Sequence, residues 1–388
     1  MGRAGKRTNR RPGRRRRSHE RAYFDYALLF IIVFLVIFGI VMLYSVSYYT
    51  AQTSFDDPLY YVKRQGFAIT LGFAAMLFTA IIDYHLYGKL IWLIYIGALG
   101  ANALLWSPLG RNYSGSTRWL RIGPVSFQPS ELTKIAVILF VAYVISQSPK
   151  KIQQLKGLMG LMVLVALLDA PVIISNLSTA IIIFGIGFGM AFIACKERKY
   201  FIGVIGAGCI AVAGALIFFP YRLERVQIWF HPENYDKGYQ TLQGLYAIGS
   251  GGLFGKGLGQ SVQKLTAVPE PENDMIFTII CEELGLVGAI AIILLFVMLI
   301  WRLLFIANNA KDLFGSMIAI GIMIHIALQV TLNIAVVTNT LPNTGITLPF
   351  ISYGGTSVAI LLAEMGIALN ISRSIRLDSL EVNTNEHN

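Results

Sequence analysis

Runs of about 20 apolar residues recur along almost the whole chain, and a run of that length, coiled as a helix, matches the hydrocarbon thickness of a bilayer. They fall at roughly 24–46, 66–83, 88–107, 130–147, 156–174, 177–195, 200–219, 277–301, 313–337 and 355–372. With 55% hydrophobic and only 14% charged residues in 388, the chain is too apolar for a soluble domain of this length. The expectation is an all-α integral membrane protein of ten transmembrane helices, with a large outer loop between spans seven and eight.

Charge orients the spans. The formal net charge is +11, yet residues 1–22 hold ten Lys/Arg against Glu20, leaving 22 basic and 20 acidic residues elsewhere. A tail reading "RRPGRRRR" has nothing to bury and reads as a disordered topology anchor on anionic lipid rather than a nucleic-acid binder. The apolar run after it is too long for a signal peptide and lacks a small-residue cleavage site, so it stays as the first span. With the tail inside, the remaining inner connections carry Lys89; Lys150, Lys151 and Lys156; Lys196, Arg198 and Lys199; Arg302 and Lys311; Arg373 and Arg376, as the positive-inside rule requires. Three units follow: a cytoplasmic tail 1–22, a membrane domain 23–373 with outer loop 220–276, and a cytoplasmic tail 374–388.

Two outer connections, about 108–130 and 220–276, mix Gly, Pro, aromatic and charged residues, and a third, "TNTLPNTGITLPFISYGG", is a broken, turn-forming stretch at the bundle mouth. Non-helical backbone at membrane depth survives only inside protein or along a wet cavity. Arg111, Arg118, Arg121, Arg222 and Arg225 sit on the outer side, where cations are scarce, and suit bidentate capture of a pyrophosphate headgroup; ion pairing with Glu224 or lipid phosphate is the plainer reading. In "FQPSELTKIAVILF", Glu131 and Lys134 are three apart and face one side of the fourth span, as a cavity-lining or a structural pair. "VPEPENDMIFTIICEELG" sets Glu270, Glu272 and Asp274 before the eighth span, with Glu282 and Glu283 two turns into it. Asp274 is either a helix cap or a general base whose pKa neighbouring acids raise.

Other features carry less. "IGSGGLFGKGLGQS" fails as a phosphate loop, with Ser250 for the first Gly and Gly257 after Lys256, so its glycines serve close backbone packing. Asp169, before a kink expected at Pro171, and Glu364 are intramembrane acids of undetermined role. His325 reads as a satisfied core residue, and Cys195, Cys209 and Cys281 have neither disulfide nor zinc spacing. No metal ligand set is assigned.

"RWLRIGPVSFQPSELTK", "PENDMIF" with "EELGLVG", and "LPNTGITLPFISYGGTS" together resemble the SEDS family (shape, elongation, division and sporulation), over about residues 24–373 and closest to its FtsW division branch. The resemblance implies a bacterial cytoplasmic (inner) membrane enzyme that polymerises lipid II into glycan strands, for septal wall synthesis, beside a class B penicillin-binding protein and other divisome membrane proteins. It implies Asp274 as the essential acid and Glu131 with Lys134 as the charged pair of the central cavity; Arg118, Arg121 and Arg225 are the candidate substrate-binding cations. No cofactor is assigned, and a divalent cation is left open. Where the family commonly has Pro-Asp-Leu-Gly-Thr, this chain reads "SNLSTA", with Asn176 in the Asp position. The competing readings are a lipid II flippase, a RodA-like or sporulation-type polymerase, and a catalytically silent divisome scaffold.

Overall fold

Each apolar run becomes a helix because a chain in lipid must satisfy its own backbone polar groups. The structure, a computed structural model, describes residues 23–113, 116–122, 125–206, 214, 220–266 and 268–375. The long helices are α1 (Tyr26–Phe55), α2 (Tyr60–Ile81), the shorter α3 (Ile91–Ala103), α4 (Pro129–Gln147), α5 (Leu155–Ser175) and α6 (Leu177–Ala194). After two amphipathic helices, α7 (Pro220–Phe230) and α8 (Tyr239–Ser250), come α9 (Ile276–Asn309), α10 (Leu313–Val337) and α11 (Gly355–Ser372). Eight of these are long and apolar enough to cross a membrane, and α3 extends as an apolar helix to Trp106. The seventh expected span, 200–219, lies largely outside the described residues, as do the basic tail and residues 376–388.

The protein is therefore a multi-pass helical membrane protein, with one addition. The connection 108–130 folds into a three-stranded antiparallel sheet of β1 (Gly110–Tyr113), β2 (Ser116–Ile122) and β3 (Val125–Phe127). α4 is the most enclosed long helix, packed by α3, α5, α6 and α10.

Tyr23 and Ile375 meet at one end of the bundle, where the Tyr23 amide donates to the Ile375 carbonyl. Asp25 there caps α1 through the Leu28 amide (2.8 Å) and also takes the Arg302 guanidinium (2.7 Å). The apolar run of the eighth span ends at 301, which places Arg302 in the following connection; α9 instead runs 34 residues to Asn309, so Arg302 is a helical residue with a buried partner.

At the opposite end the chain between α10 and α11 turns back into the bundle. Phe350 and Ile351 are buried, and a Cβ on Gly39, midway along α1, would stand 2.6 Å from the Phe350 carbonyl oxygen. Only a glycine at that level of α1 admits this backbone. The part that turns inward, residues 346–352, is thus enclosed by protein, while Thr338, Thr340, Leu341 and Gly345 stay exposed.

Candidate active site

Asp274 lies in the loop just before α9. The cap reading fails, since the N-cap is Met275 and no side chain caps the helix. Asp274 is instead held through its main chain: its carbonyl accepts from Asn333 Nδ2 at 2.8 Å, and the same amide donates to the Ile346 carbonyl at 2.7 Å. The next loop residues are fastened too, because the Tyr353 amide donates to the Glu272 carbonyl at 2.9 Å. Burial pushes the Asp274 carboxyl up to about 6, the charge of Glu270 adds to this, and a backbone N–H opposes it. Glu272, 4% exposed and with one oxygen lacking a partner, is likewise raised by burial.

A cleft of about 480 Å³ opens beside this loop. Tyr61, Tyr239 and Tyr353 line it together with Glu270, Glu272 and Lys264, the last with its ammonium engaged by Glu283 and Ser45. Tyrosine faces with acceptors between them suit a polyhydroxylated, amide-bearing headgroup.

Of the acids near Asp274 in sequence, Glu270 raises its pKa, while Glu282 and Glu283 are paired elsewhere. Each takes a lysine from the glycine-rich connection: Lys256 reaches Glu282 at 2.7 Å, and the buried Lys264 reaches Glu283 at 2.6 Å. The glycines do serve close packing. Gly285 breaks α9 with φ 67° and ψ −168°, and the freed amides of Leu286 and Val287 donate to the carbonyls of Gly252 and Leu253.

Deeper in the bundle, Lys134 and Glu131 pair at 2.9 Å with side chains only 2% and 7% exposed. The ammonium also donates to Gln329 Oε1 (3.3 Å), which meets His325 Nε2 (2.9 Å), while His325 Nδ1 meets Glu364 Oε2 (2.8 Å). His325 is thus a satisfied core residue, and Glu364 has gained a partner. Asn333 and Gln329 were missed in the sequence, although His325, Gln329 and Asn333 recur at a four-residue step, the signature of one helix face.

The arginines are spread along the same loop-rich end. Arg118 and Arg121 lie three residues apart on β2, with Arg118 at the register shift between Thr117 and Trp119 that pair with Asn112 and Arg111. Arg118 Nε donates to the Ser175 carbonyl at 3.3 Å, at the corner between α5 and α6. Arg225 lies on α7, and its side chain is outside the described residues. Asn176 is the N-cap of α6, accepting from the Thr179 amide at 3.3 Å, a task Asn and Asp perform equally. Asp169 is buried two turns earlier in α5 with one oxygen unpartnered, and Pro171 lies within that helix. Among the described residues no three His, Cys, Asp or Glu side chains gather as a metal site.

A membrane helix bundle with a raised-pKa carboxyl in a re-entrant loop cluster, above a buried ionic network, defines the class of this protein. The family model described as cell cycle protein, covering FtsW, RodA and SpoVE, matches residues 26–377, and the chain belongs to that family. It is 38% identical to stage V sporulation protein E of Bacillus subtilis over 91% of this chain and 98% of the relative. It is 37% identical to the "Probable peptidoglycan glycosyltransferase FtsW" of Trichlorobacter lovleyi, over 92% and 96%. Among solved structures, one chain of a peptidoglycan synthase complex that coordinates polymerization and crosslinking matches with TM-score 0.78 and 25% identity, over 92% of this chain and 99% of that one. The rod shape determining protein RodA of Thermus thermophilus shares the fold, with TM-score 0.67 and 24% identity over 90% and 97%.

Proposed function

We propose that this protein is a peptidoglycan glycosyltransferase that polymerises lipid II into glycan strands, serving septal wall synthesis, with Asp274 as general base. The observation that carries the assignment of Asp274 is its setting: a partly buried carboxyl with pKa pushed up to about 6, pinned by its main chain directly after the residues Val268, Pro269, Glu270, Pro271, Glu272 and Asn273 that line a cleft of about 480 Å³. Such a group is ionised at neutral pH yet basic enough to take a proton.

The acceptor's sugar 4-hydroxyl attacks the anomeric carbon of the growing chain. Its proton passes to Asp274, the bond from that carbon to the pyrophosphate oxygen breaks, and the lipid pyrophosphate leaves. Attack from the opposite face turns the α linkage into β without a covalent enzyme intermediate. Arg118, Arg121 and Arg225 are the cations assigned to the departing pyrophosphate, and the Glu131–Lys134 pair fixes the field beneath it.

The reading includes orientation. The loop-rich end faces outward from the bacterial cytoplasmic membrane, residues 1–22 and 374–388 face the cytoplasm, and a class B penicillin-binding protein crosslinks the product, as the likeness to a synthase complex supports. Purified protein given lipid II, with and without its cognate transpeptidase, tests this directly. Glycan strands are expected; lipid II carried across vesicles without polymer would make the chain a flippase instead.

A further inference from the structure

The stripe His325–Gln329–Asn333 runs along one face of α10. Its outermost member, Asn333, ties the Asp274 carbonyl (2.8 Å) to the Ile346 carbonyl (2.7 Å). One turn deeper, Gln329 donates from its amide nitrogen to the Thr347 carbonyl (3.1 Å), while its oxygen accepts from the Lys134 ammonium (3.3 Å) and meets His325 Nε2 (2.9 Å). Adjacent residues of the re-entrant segment, Ile346 and Thr347, are therefore gripped by the same helix face that holds Asp274 and Lys134.

Hydrogen-bond valence fixes how Gln329 lies. A backbone carbonyl only accepts, so the Gln329 NH₂ must point at Thr347 and its oxygen at Lys134 and His325. His325 Nε2 must then carry a proton. His325 Nδ1 and Glu364 Oε2, 2.8 Å apart, share one more proton, and the His325–Glu364 pair is neutral as a unit whichever atom holds it. The buried row is thus two charge-balanced pairs joined through one amide whose orientation has no alternative.

We infer that Gln329 and Asn333 are positioning residues: one face of α10 sets Asp274 through its main-chain carbonyl and Lys134 through its ammonium, and holds both in register with residues 346–347. The inference rests on the polymerase reading above. Neither amide needs to touch substrate, so their loss disturbs geometry rather than affinity.

The test uses the full chain in nanodiscs, supplied with its class B partner and lipid II, and compares wild type with Asn333→Leu, Asn333→Ser and Gln329→Leu by hydrogen–deuterium exchange and steady-state kinetics. Asn333→Leu is expected to speed amide exchange around Asp274 and around Ile346 together, by about tenfold, while the amides of α10 stay protected. Turnover should fall by about 10- to 100-fold with KM for lipid II changed less than about twofold. Asn333→Ser, which keeps one donor, should recover part of both. Gln329→Leu on a Lys134→Met background should lose clearly less than the sum of the two single losses, because the contact they share is already gone. Unchanged exchange at either loop, exchange rising throughout α10, or additive losses would overturn the inference. Absence of polymer from wild type would defeat the polymerase reading, and the exchange data would still decide whether Asn333 holds the two loops.

Discussion

Gly345 faces Asp274: a Cβ built on the glycine would lie 3.8 Å from the Asp274 Oδ2, and Gly345 has φ 69°. Two costs follow for any replacement, one in the backbone and one at the carboxyl. Gly345→Ala is expected to lose about 1–2 kcal/mol of stability from the left-handed conformation. Gly345→Asn, which tolerates that conformation better, should lose less stability but more turnover, because its larger side chain reaches the carboxyl. Thermal unfolding alongside polymerisation rates checks both; equal stability and equal turnover in the two variants would contradict the geometry.

The Glu131–Lys134 pair is buried, so breaking it strands a charge. Lys134→Met and Glu131→Gln are each expected to destabilise by about 3–5 kcal/mol, and the double variant to lose clearly less than the sum. Unfolding midpoints in detergent decide the matter, and additive losses would show that the two charges do not support each other.

The raised pKa of Asp274 gives stability a definite pH dependence. Its folded value of about 6 stands above the ordinary 3.8, so between those pH values the folded state holds a proton that the unfolded state has released. Stability from this group is therefore present at low pH and declines as pH rises from about 4 to about 6, by on the order of 2–3 kcal/mol. Asp274→Asn escapes this penalty, and should melt above wild type at pH 7.5 with the gap closing toward pH 4.5. A wild type more stable than the variant at pH 7.5 would refute the buried-carboxyl picture.

Gly285 is required for a different reason. A Cβ there would stand 2.3 Å from the Gly255 amide nitrogen and 2.5 Å from the Leu253 carbonyl oxygen, in a backbone region that glycine alone occupies. Gly285→Ala is expected to release the glycine-rich connection, seen as protease cleavage between residues 251 and 262 that wild type resists.

The membrane helices were legible because each needs an apolar run of fixed length, and the Glu131–Lys134 contact because a three-residue step on a helix is a contact. What escaped is what irregular backbone assembles. Glu282 and Glu283 look like neighbours of Asp274 in sequence, but Lys256 and Lys264 reach them across turns that no periodicity describes. The sheet at 110–127 was hidden because its strands are only 4, 7 and 3 residues long. Asn333 was legible in spacing, as the third polar step of α10, but its partners, two main-chain carbonyls, leave no mark in the sequence.

The catalytic assignment stands or falls on Asp274→Asn. The substitution keeps size and removes the basic carboxylate, and because Asp274 is not the cap of α9 it leaves the helix start intact. Purified, well-folded Asp274→Asn protein, assayed on lipid II with its transpeptidase partner, should lose polymerisation by on the order of 100-fold or more, the scale of a positioned base. Glycan product near the wild-type rate from that protein would contradict the mechanism.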